Sequence, residues 1–142
     1  GVPNVYGLIG AEANAIAPGK RPLSSMSPTF VQGERGVAIL GTPGGSRIIT
    51  MVLLGVLGYA EGGDAASLVQ RGRFHHQYLP DVIQAEAGAL DEAVRTELTL
   101  LGHTVEVLER PYGNMQVVIW EREAGRVEAA SDPRGVGSAE VR

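Results

Sequence analysis

The stretch that decides the fold is VAILGTPGGSRIITMVLLGVL, residues 37–57. Its first part, Val37 to Thr42, is mostly aliphatic and predicts a short strand. Pro43-Gly44-Gly45-Ser46 then predicts a turn. The apolar residues that follow cover most of a helix circumference, which indicates a helix inside a core. We therefore expect the chain to pass from a strand, through a glycine turn, into a buried helix.

The residues on either side complete a layered pattern. Residues 28–32 and 37–42, separated by Gly33-Glu34-Arg35-Gly36, predict a β-hairpin. Antiparallel strands with helices laid on one face define an α+β fold. The remaining predicted elements are two helices, 64–71 and 90–101, and five extended segments, 74–78, 82–87, 104–109, 115–121 and 126–130. Asp64 is placed to cap the first of these helices, and one apolar stripe is predicted on the second, formed by Leu90, Val94, Leu98 and Leu101.

Composition limits the class of protein. The chain has 142 residues, of which 44% are hydrophobic and 20% charged, and its net charge is −4. This predicts one domain, or a piece of one, with a real core. The acidic balance argues against binding to nucleic acid. No membrane-spanning helix is predicted, because the longest apolar stretch, residues 48–60, is shorter than the ~20 residues that cross a bilayer. The absence of Cys excludes thiol nucleophiles and thiolate metal sites.

The glycine turn is the first feature that could carry chemistry. Backbone N–H groups at a strand-to-helix junction are free and lie at the positive end of the helix dipole, which suits a phosphate or a developing oxyanion. A P-loop is excluded, because that motif needs a Lys at the end of the glycine turn, and this turn has none: Ser46 is followed by Arg47. A tight turn that needs Gly for a positive φ explains the same residues. Both interpretations stay open on the residues alone.

The second feature is a serine pair, Ser24 and Ser25, in the loop between Pro22 and Pro28. Their hydroxyls could donate hydrogen bonds to a carboxylate or phosphate, and the prolines stiffen both ends of the loop. The alternative is an ordinary turn, since Ser and Pro are frequent in turns.

Two further patterns predict structure more than chemistry. His75 and His76 are adjacent on a predicted strand, so their side chains are expected on opposite faces, one packed inside and one outside. No metal site and no cofactor are therefore predicted. Asp132-Pro133-Arg134 predicts a turn with an ion pair, and its spacing supports no function.

Four blocks of sequence together resemble the gamma-glutamyltranspeptidase family. In chain order they are KRPLSSMSPT (20–29), GTPGGSRIIT (41–50), RFHHQYLPD (73–81) and ASDPR (130–134). The resemblance implies part of the four-layer α-β-β-α fold of the N-terminal-nucleophile hydrolases. It also implies that residues 1–142 are the C-terminal portion of the family's small subunit.

The resemblance implies an activity as well. Family members are zymogens that cleave themselves and then transfer or hydrolyse γ-glutamyl groups of glutathione-like donors through a Thr-linked acyl-enzyme, with amino acids, peptides or water as acceptors. By position, Ser24 and Ser25 resemble the pair that holds the substrate α-carboxylate. Gly44 and Gly45 resemble the residues whose backbone N–H groups form the oxyanion hole. Members of the family are usually exported to the periplasm or the cell exterior.

The start of the chain departs from the family pattern. An N-terminal nucleophile must be Thr, Ser or Cys at a free amine, and Gly1 is none of these. We therefore expect the nucleophilic Thr upstream and no activity from the chain alone. The expected partners are the large subunit and the missing N-terminal part of the small subunit. Without them, the unpaired sheet edge and the helix at residues 48–57 are expected to drive self-association.

Two alternatives remain. A related cephalosporin or glutaryl acylase would share the framework and differ in how it recognises the acyl group. A non-catalytic module would use the turn at Gly44 and Gly45 to bind an anion without chemistry.

Overall fold

A computed structural model describes all residues, 1–142. The elements are β1 (Thr29–Gln32), β2 (Gly36–Gly41), α1 (Ile48–Ala60), α2 (Ala65–Gln70), β3 (Phe74–His75), β4 (Ile83–Ala85), α3 (Glu92–Leu100), β5 (Val105–Val107), β6 (Gln116–Glu121) and β7 (Arg126–Ser131). Short 3-10 helices lie at Glu12–Asn14 and Gly45–Arg47. The predicted order of strands and helices is confirmed.

The main sheet has the strand order β1-β2-β6-β7, and all its neighbours are antiparallel. The predicted hairpin is confirmed, with Thr29 opposite Leu40 and Gln32 opposite Val37. Side chains alternate across β2 and β6, as the pleat of a strand requires. Ala38, Leu40, Val117 and Ile119 are at most 2% exposed and face the core.

Helices α1 and α2 cover the inner face of this sheet. Met51 of α1 and Val69 of α2 are each 1% exposed and belong to the same apolar cluster as the inward residues of the sheet. Asp64 caps α2 as predicted, because its side chain accepts a hydrogen bond of 2.7 Å from the N–H of Ser67.

The opposite side of α1 stays open to solvent. Ile49, Leu53 and Leu57, spaced four residues apart, are 70%, 52% and 44% exposed. The sequence predicts apolar residues over most of the circumference of this helix and predicts that the helix is exposed without its partners, and these three residues are exposed in this chain. The physical reason is that the elements in contact with α1, which are β2, α2, β3 and the short 3-10 helix before it, leave these three residues uncovered.

A second, smaller sheet has the order β3-β4-β5, in which β4 runs parallel to β5. Helix α3 packs beside β5 and buries none of its residues. The apolar stripe predicted for α3 is therefore largely uncovered, and Leu101 just beyond its end is 77% exposed.

The outer face of the main sheet, which points away from the helices, is also apolar. It presents side chains that are between 39% and 69% exposed: Phe30, Ile39, Val118, Trp120 and Val127. Neighbouring strands place these residues side by side, for example Ile39 opposite Val118. A contiguous apolar face of this kind marks an interaction surface.

None of the helices is long and apolar enough to cross a lipid bilayer.

Candidate active site

The glycine turn joins β2 to α1 in the way the sequence predicts. Gly44 has φ 149° and Gly45 has φ 57°, so both adopt conformations that favour glycine. Space is also limiting at Gly44, where a Cβ would lie 2.5 Å from Cε of Met51. The turn therefore needs glycine at both positions because of backbone conformation and close packing.

The N–H groups of Gly44 and Gly45 donate no hydrogen bond to any protein group. Their carbonyl oxygens are used instead, accepting from the N–H groups of Arg47 and Ile48. The 13-residue helix α1 begins directly after the turn and directs the positive end of its dipole toward it. Two free donors at this position can bind an oxyanion.

The ring of Tyr6 packs against the turn at Gly45. A Cβ at Gly45 would lie 2.5–2.7 Å from three atoms of the Tyr6 ring. Tyr6 belongs to a closed loop, residues 3–9, whose ends pair at Pro3 and Ile9. Inside this loop, Oδ1 of Asn4 accepts hydrogen bonds from the N–H groups of Tyr6 (2.9 Å) and Leu8 (3.1 Å).

Ser24 and Ser25 lie in an exposed loop. Oγ of Ser24 accepts a hydrogen bond of 3.2 Å from the N–H of Met26, and no hydrogen bond joins either serine to the glycine turn. The loop nevertheless ends beside the turn. It leads into β1 at Thr29, which pairs with Leu40 at the end of β2, so both segments leave the hairpin at the same end.

The histidine pair divides as predicted. His75 is 5% exposed, and its Nδ1 lies 2.8 Å from Oγ1 of Thr50. His76 is exposed, and its Nε2 lies 2.8 Å from Oδ1 of Asp81. No group of three or more His, Asp or Glu side chains is arranged to bind a metal ion.

Arg47 follows the turn, and its guanidinium contacts two side chains, Gln84 and Tyr112. Its Nη2 donates to Oε1 of Gln84 at 2.6 Å, and its guanidinium lies 4.6 Å from the centre of the Tyr112 ring. Burial raises the pKa of Tyr112 to about 12, so its hydroxyl stays protonated at neutral pH. Arg47 is therefore held beside the turn by a hydrogen bond and by a cation–π contact.

A buried ion-pair network lies behind the site. Asp132 accepts from Nη2 of Arg73 at 2.5 Å and from Nη1 of Arg134 at 3.2 Å, while Nη2 of Arg134 donates to Oε2 of Glu86 at 2.6 Å. Burial alone would raise the pKa of Asp132. The backbone N–H groups of Arg134 and Met115, together with Arg73, outweigh burial and hold that pKa below its usual range. Asp132 is therefore ionised and fully paired.

Three residues around the turn were not predicted from the sequence: Tyr6, Arg73 and Gln77, of which Gln77 hydrogen-bonds to Ser46 and Tyr6. Tyr6 lies in a segment without periodicity, and Arg73 and Gln77 lie in the block at residues 73–81 that resembles the family, with no role predicted for them. Asp132 and Arg134 were predicted only as a turn with an ion pair. The ion pair is confirmed, and the structure extends it to Arg73 and Glu86.

The α+β fold is that of the N-terminal-nucleophile hydrolases. The family profile described as Gamma-glutamyltranspeptidase matches residues 1–141. The chain belongs to the gamma-glutamyltranspeptidase family.

Known relatives agree with this assignment. The glutathione hydrolase proenzyme of Escherichia coli is 44% identical over 138 residues, covering 96% of this chain and 23% of that protein. The Pseudomonas aeruginosa proenzyme of the same name is 43% identical over 143 residues, covering 96% of this chain and 25% of that protein. Gamma-glutamyltranspeptidase from Pseudomonas nitroreducens, solved as a complex with L-DON, is 42% identical with a TM-score of 0.83, covering all of this chain and 75% of the matched one. The chain thus spans about a quarter of the length of these proenzymes.

Proposed function

We propose that this chain is the C-terminal part of the small subunit of a γ-glutamyltransferase and glutathione hydrolase. The observation that carries the proposal is the pair of free N–H groups at Gly44 and Gly45, at the start of α1, in a chain of this family. We refer to the longer polypeptide that would contain the chain as the full-length protein.

In the proposed reaction, the hydroxyl oxygen of a Thr upstream of Gly1 attacks the γ-glutamyl carbonyl carbon. The α-amine of that Thr takes the hydroxyl proton, and the carbonyl oxygen becomes an oxyanion. The tetrahedral intermediate then expels the amine, which takes up the proton and leaves a γ-glutamyl ester. Water or an acceptor amine cleaves the ester and regenerates Thr.

This chain supplies the electrostatic part of that reaction. The N–H groups of Gly44 and Gly45 donate to the oxyanion, which carries more negative charge than the ground-state carbonyl. A donor of this kind contributes roughly 3–4 kcal/mol of transition-state stabilisation. The rigid turn holds the donors in place before the substrate arrives, because both glycines are confined by backbone conformation and by close contacts.

Ser24 and Ser25 are proposed to hold the substrate α-carboxylate. Their loop leaves the hairpin at the same end as the glycine turn, and both residues are exposed. A hydroxyl bound to a carboxylate is worth about 1.5–3 kcal/mol. By binding the α-carboxylate, Ser24 and Ser25 set the distance between the substrate γ-carbonyl group and the glycine turn.

The apolar surfaces of the chain indicate the proposed partners. The outer face of the main sheet and the stripe of Ile49, Leu53 and Leu57 are exposed here. We propose that the large subunit and the N-terminal part of the small subunit bury these surfaces in the full-length protein. The isolated chain is therefore expected to be inactive, and the full-length protein is expected in the periplasm or outside the cell.

The test is turnover of a γ-glutamyl anilide by the full-length protein and by the isolated 142-residue chain. We expect activity only from the full-length protein. Replacing both Ser24 and Ser25 with Ala should raise its KM at least ten-fold, whereas Ser138→Ala, at an exposed serine whose side chain makes no hydrogen bond, should leave KM within about two-fold. A preference for a glutaryl amide over glutathione would favour the acylase alternative. Turnover by the isolated chain would refute the proposal.

A further inference from the structure

We propose that Gln77 is a positioning residue that holds the loop at residues 3–9 and the glycine turn in a fixed relation. The inference rests on the proposed function, because the turn it supports is the proposed oxyanion site. Gln77 follows β3 and lies between the loop and the turn, beside a cavity of about 100 Å³ that Tyr6, Ser46 and His75 also line.

Both ends of the Gln77 amide group are fully used. Its Nε2 donates to the carbonyl oxygens of Tyr6 and Leu79, each at 2.5 Å. Its Oε1 accepts from Oγ of Ser46 at 2.7 Å and faces Nε2 of His75 at 2.9 Å. Because two carbonyl oxygens can only accept, the NH₂ group must face them, and the orientation of the amide is determined.

That orientation also determines the proton on His75. Oε1 of Gln77 can only accept, so Nε2 of His75 must carry a hydrogen and donate it. Nδ1 of His75 lies 2.8 Å from the Thr50 hydroxyl in the first turn of α1. Since His75 is buried between them, it connects Gln77 to the helix whose N-terminus supports the candidate site.

Gln77 therefore joins segments that are far apart in sequence. Tyr6 is 71 residues away and Ser46 is 31 residues away. Ser46 directly follows Gly45, and the Tyr6 ring rests on Gly45. The amide group of Gln77 thus binds the backbone of Tyr6, whose ring rests on Gly45. The same amide group binds the side chain of Ser46, the residue that follows Gly45.

The experiment replaces Gln77 with Glu in the full-length protein. Glu has nearly the same shape, but its second oxygen faces two carbonyl oxygens and repels them. Gln32→Glu is the matched control, because Gln32 is exposed and its side chain makes no hydrogen bond. Gln77→Met keeps the length of the side chain and removes the hydrogen bonds without adding charge, so it serves if the Glu variant does not fold.

Two measurements test the inference. Amide hydrogen exchange should become about ten-fold faster in peptides covering residues 4–9 and 42–48, and should stay unchanged in β6 and β7. With a γ-glutamyl anilide, kcat should fall about ten-fold while KM changes less than about three-fold, because the donors bind the transition state more than the substrate. Ser46→Ala should weaken the effect of the Gln77 substitution in a double-mutant cycle.

Unchanged exchange at residues 4–9 and 42–48 in both Gln77 variants would overturn the inference, as would acceleration spread evenly over the chain. An inactive parent protein would refute the proposed function instead. In that case the local exchange result still decides whether Gln77 positions the loop and the turn.

Discussion

The ring of Tyr6 rests directly on Gly45: a Cβ built at Gly45 would lie 2.5 Å from Cε2 of that ring. The two residues are 39 positions apart, yet the backbone of the candidate oxyanion turn forms the surface on which the ring packs. Gly45 thus serves two purposes, since it permits the positive φ of the turn and leaves room for Tyr6.

Replacing Gly45 with Ala is expected to reduce kcat of the full-length protein at least ten-fold. The added methyl group must push aside either the Tyr6 ring or the turn, and either movement displaces the N–H donors. Gly125→Ala is the matched control, because Gly125 has φ 59° and no atom within 4 Å of a built Cβ. It suffers the same backbone strain, of about 1–2 kcal/mol, without the contact. Equal losses of kcat in the two variants would show that the contact with Tyr6 is irrelevant.

Among the carboxylates of this chain, Asp132 is expected to cost the most free energy of unfolding when it is replaced. Its side chain is fully buried and pairs with Arg73, which is also buried. Asp132→Asn leaves the Arg73 charge without its partner and should lower the free energy of unfolding of the full-length protein by about 3–5 kcal/mol. Chemical denaturation measures this loss. Asp81→Asn is the control, since Asp81 pairs with His76 at the surface and its replacement should cost less than about 1 kcal/mol.

Stability should also fall in acid, and Asp132 should account for part of the loss. Its folded-state pKa lies below the ordinary value, so ionised Asp132 stabilises the fold above its unfolded pKa near 3.8. That contribution is lost as the pH falls from about 4 toward the lower pKa that Asp132 has in the folded protein, because the carboxylate is then protonated. Unfolding measured between pH 3 and pH 7 should show a smaller acid loss in Asp132→Asn than in the parent. Identical pH profiles would contradict this account of the network.

The isolated 142-residue chain is expected to self-associate through the outer face of the main sheet. Ile39 and Val118 are cross-strand neighbours on that face, and each is 39% exposed. Replacing both with Lys should shift the chain toward monomer in sedimentation velocity, because charges cannot be buried unpaired. Val136→Lys is the control, as Val136 is fully exposed in the C-terminal segment. A parent chain that sediments as a monomer would contradict the expectation.

The junction between β2 and α1 could be predicted because its determinants are local. The aliphatic run, the two glycines and the apolar helix follow one another within residues 37–57. The hairpin and the Asp64 cap were predictable for the same reason. The resemblance to a family then directed attention to Gly44 and Gly45 within that junction.

The contacts around the junction could not be predicted, because they depend on how distant segments pack. Tyr6 has no local pattern that points to Gly45, and the partners of Gln77 come from three parts of the chain. The apolar stripe of α3 shows the opposite problem. Its spacing predicts burial, but the contact of α3 with β5 is small, and no residue of α3 is buried.

We propose that the N–H groups of Gly44 and Gly45 bind the oxyanion formed during γ-glutamyl transfer. The most direct test is a crystal structure of the full-length protein with a γ-glutamyl phosphonate, whose tetrahedral oxygens imitate that anion. The account predicts one phosphonate oxygen about 2.7–3.1 Å from both backbone nitrogens. A phosphonate bound with both N–H groups turned away, or already donating to protein acceptors, would contradict it.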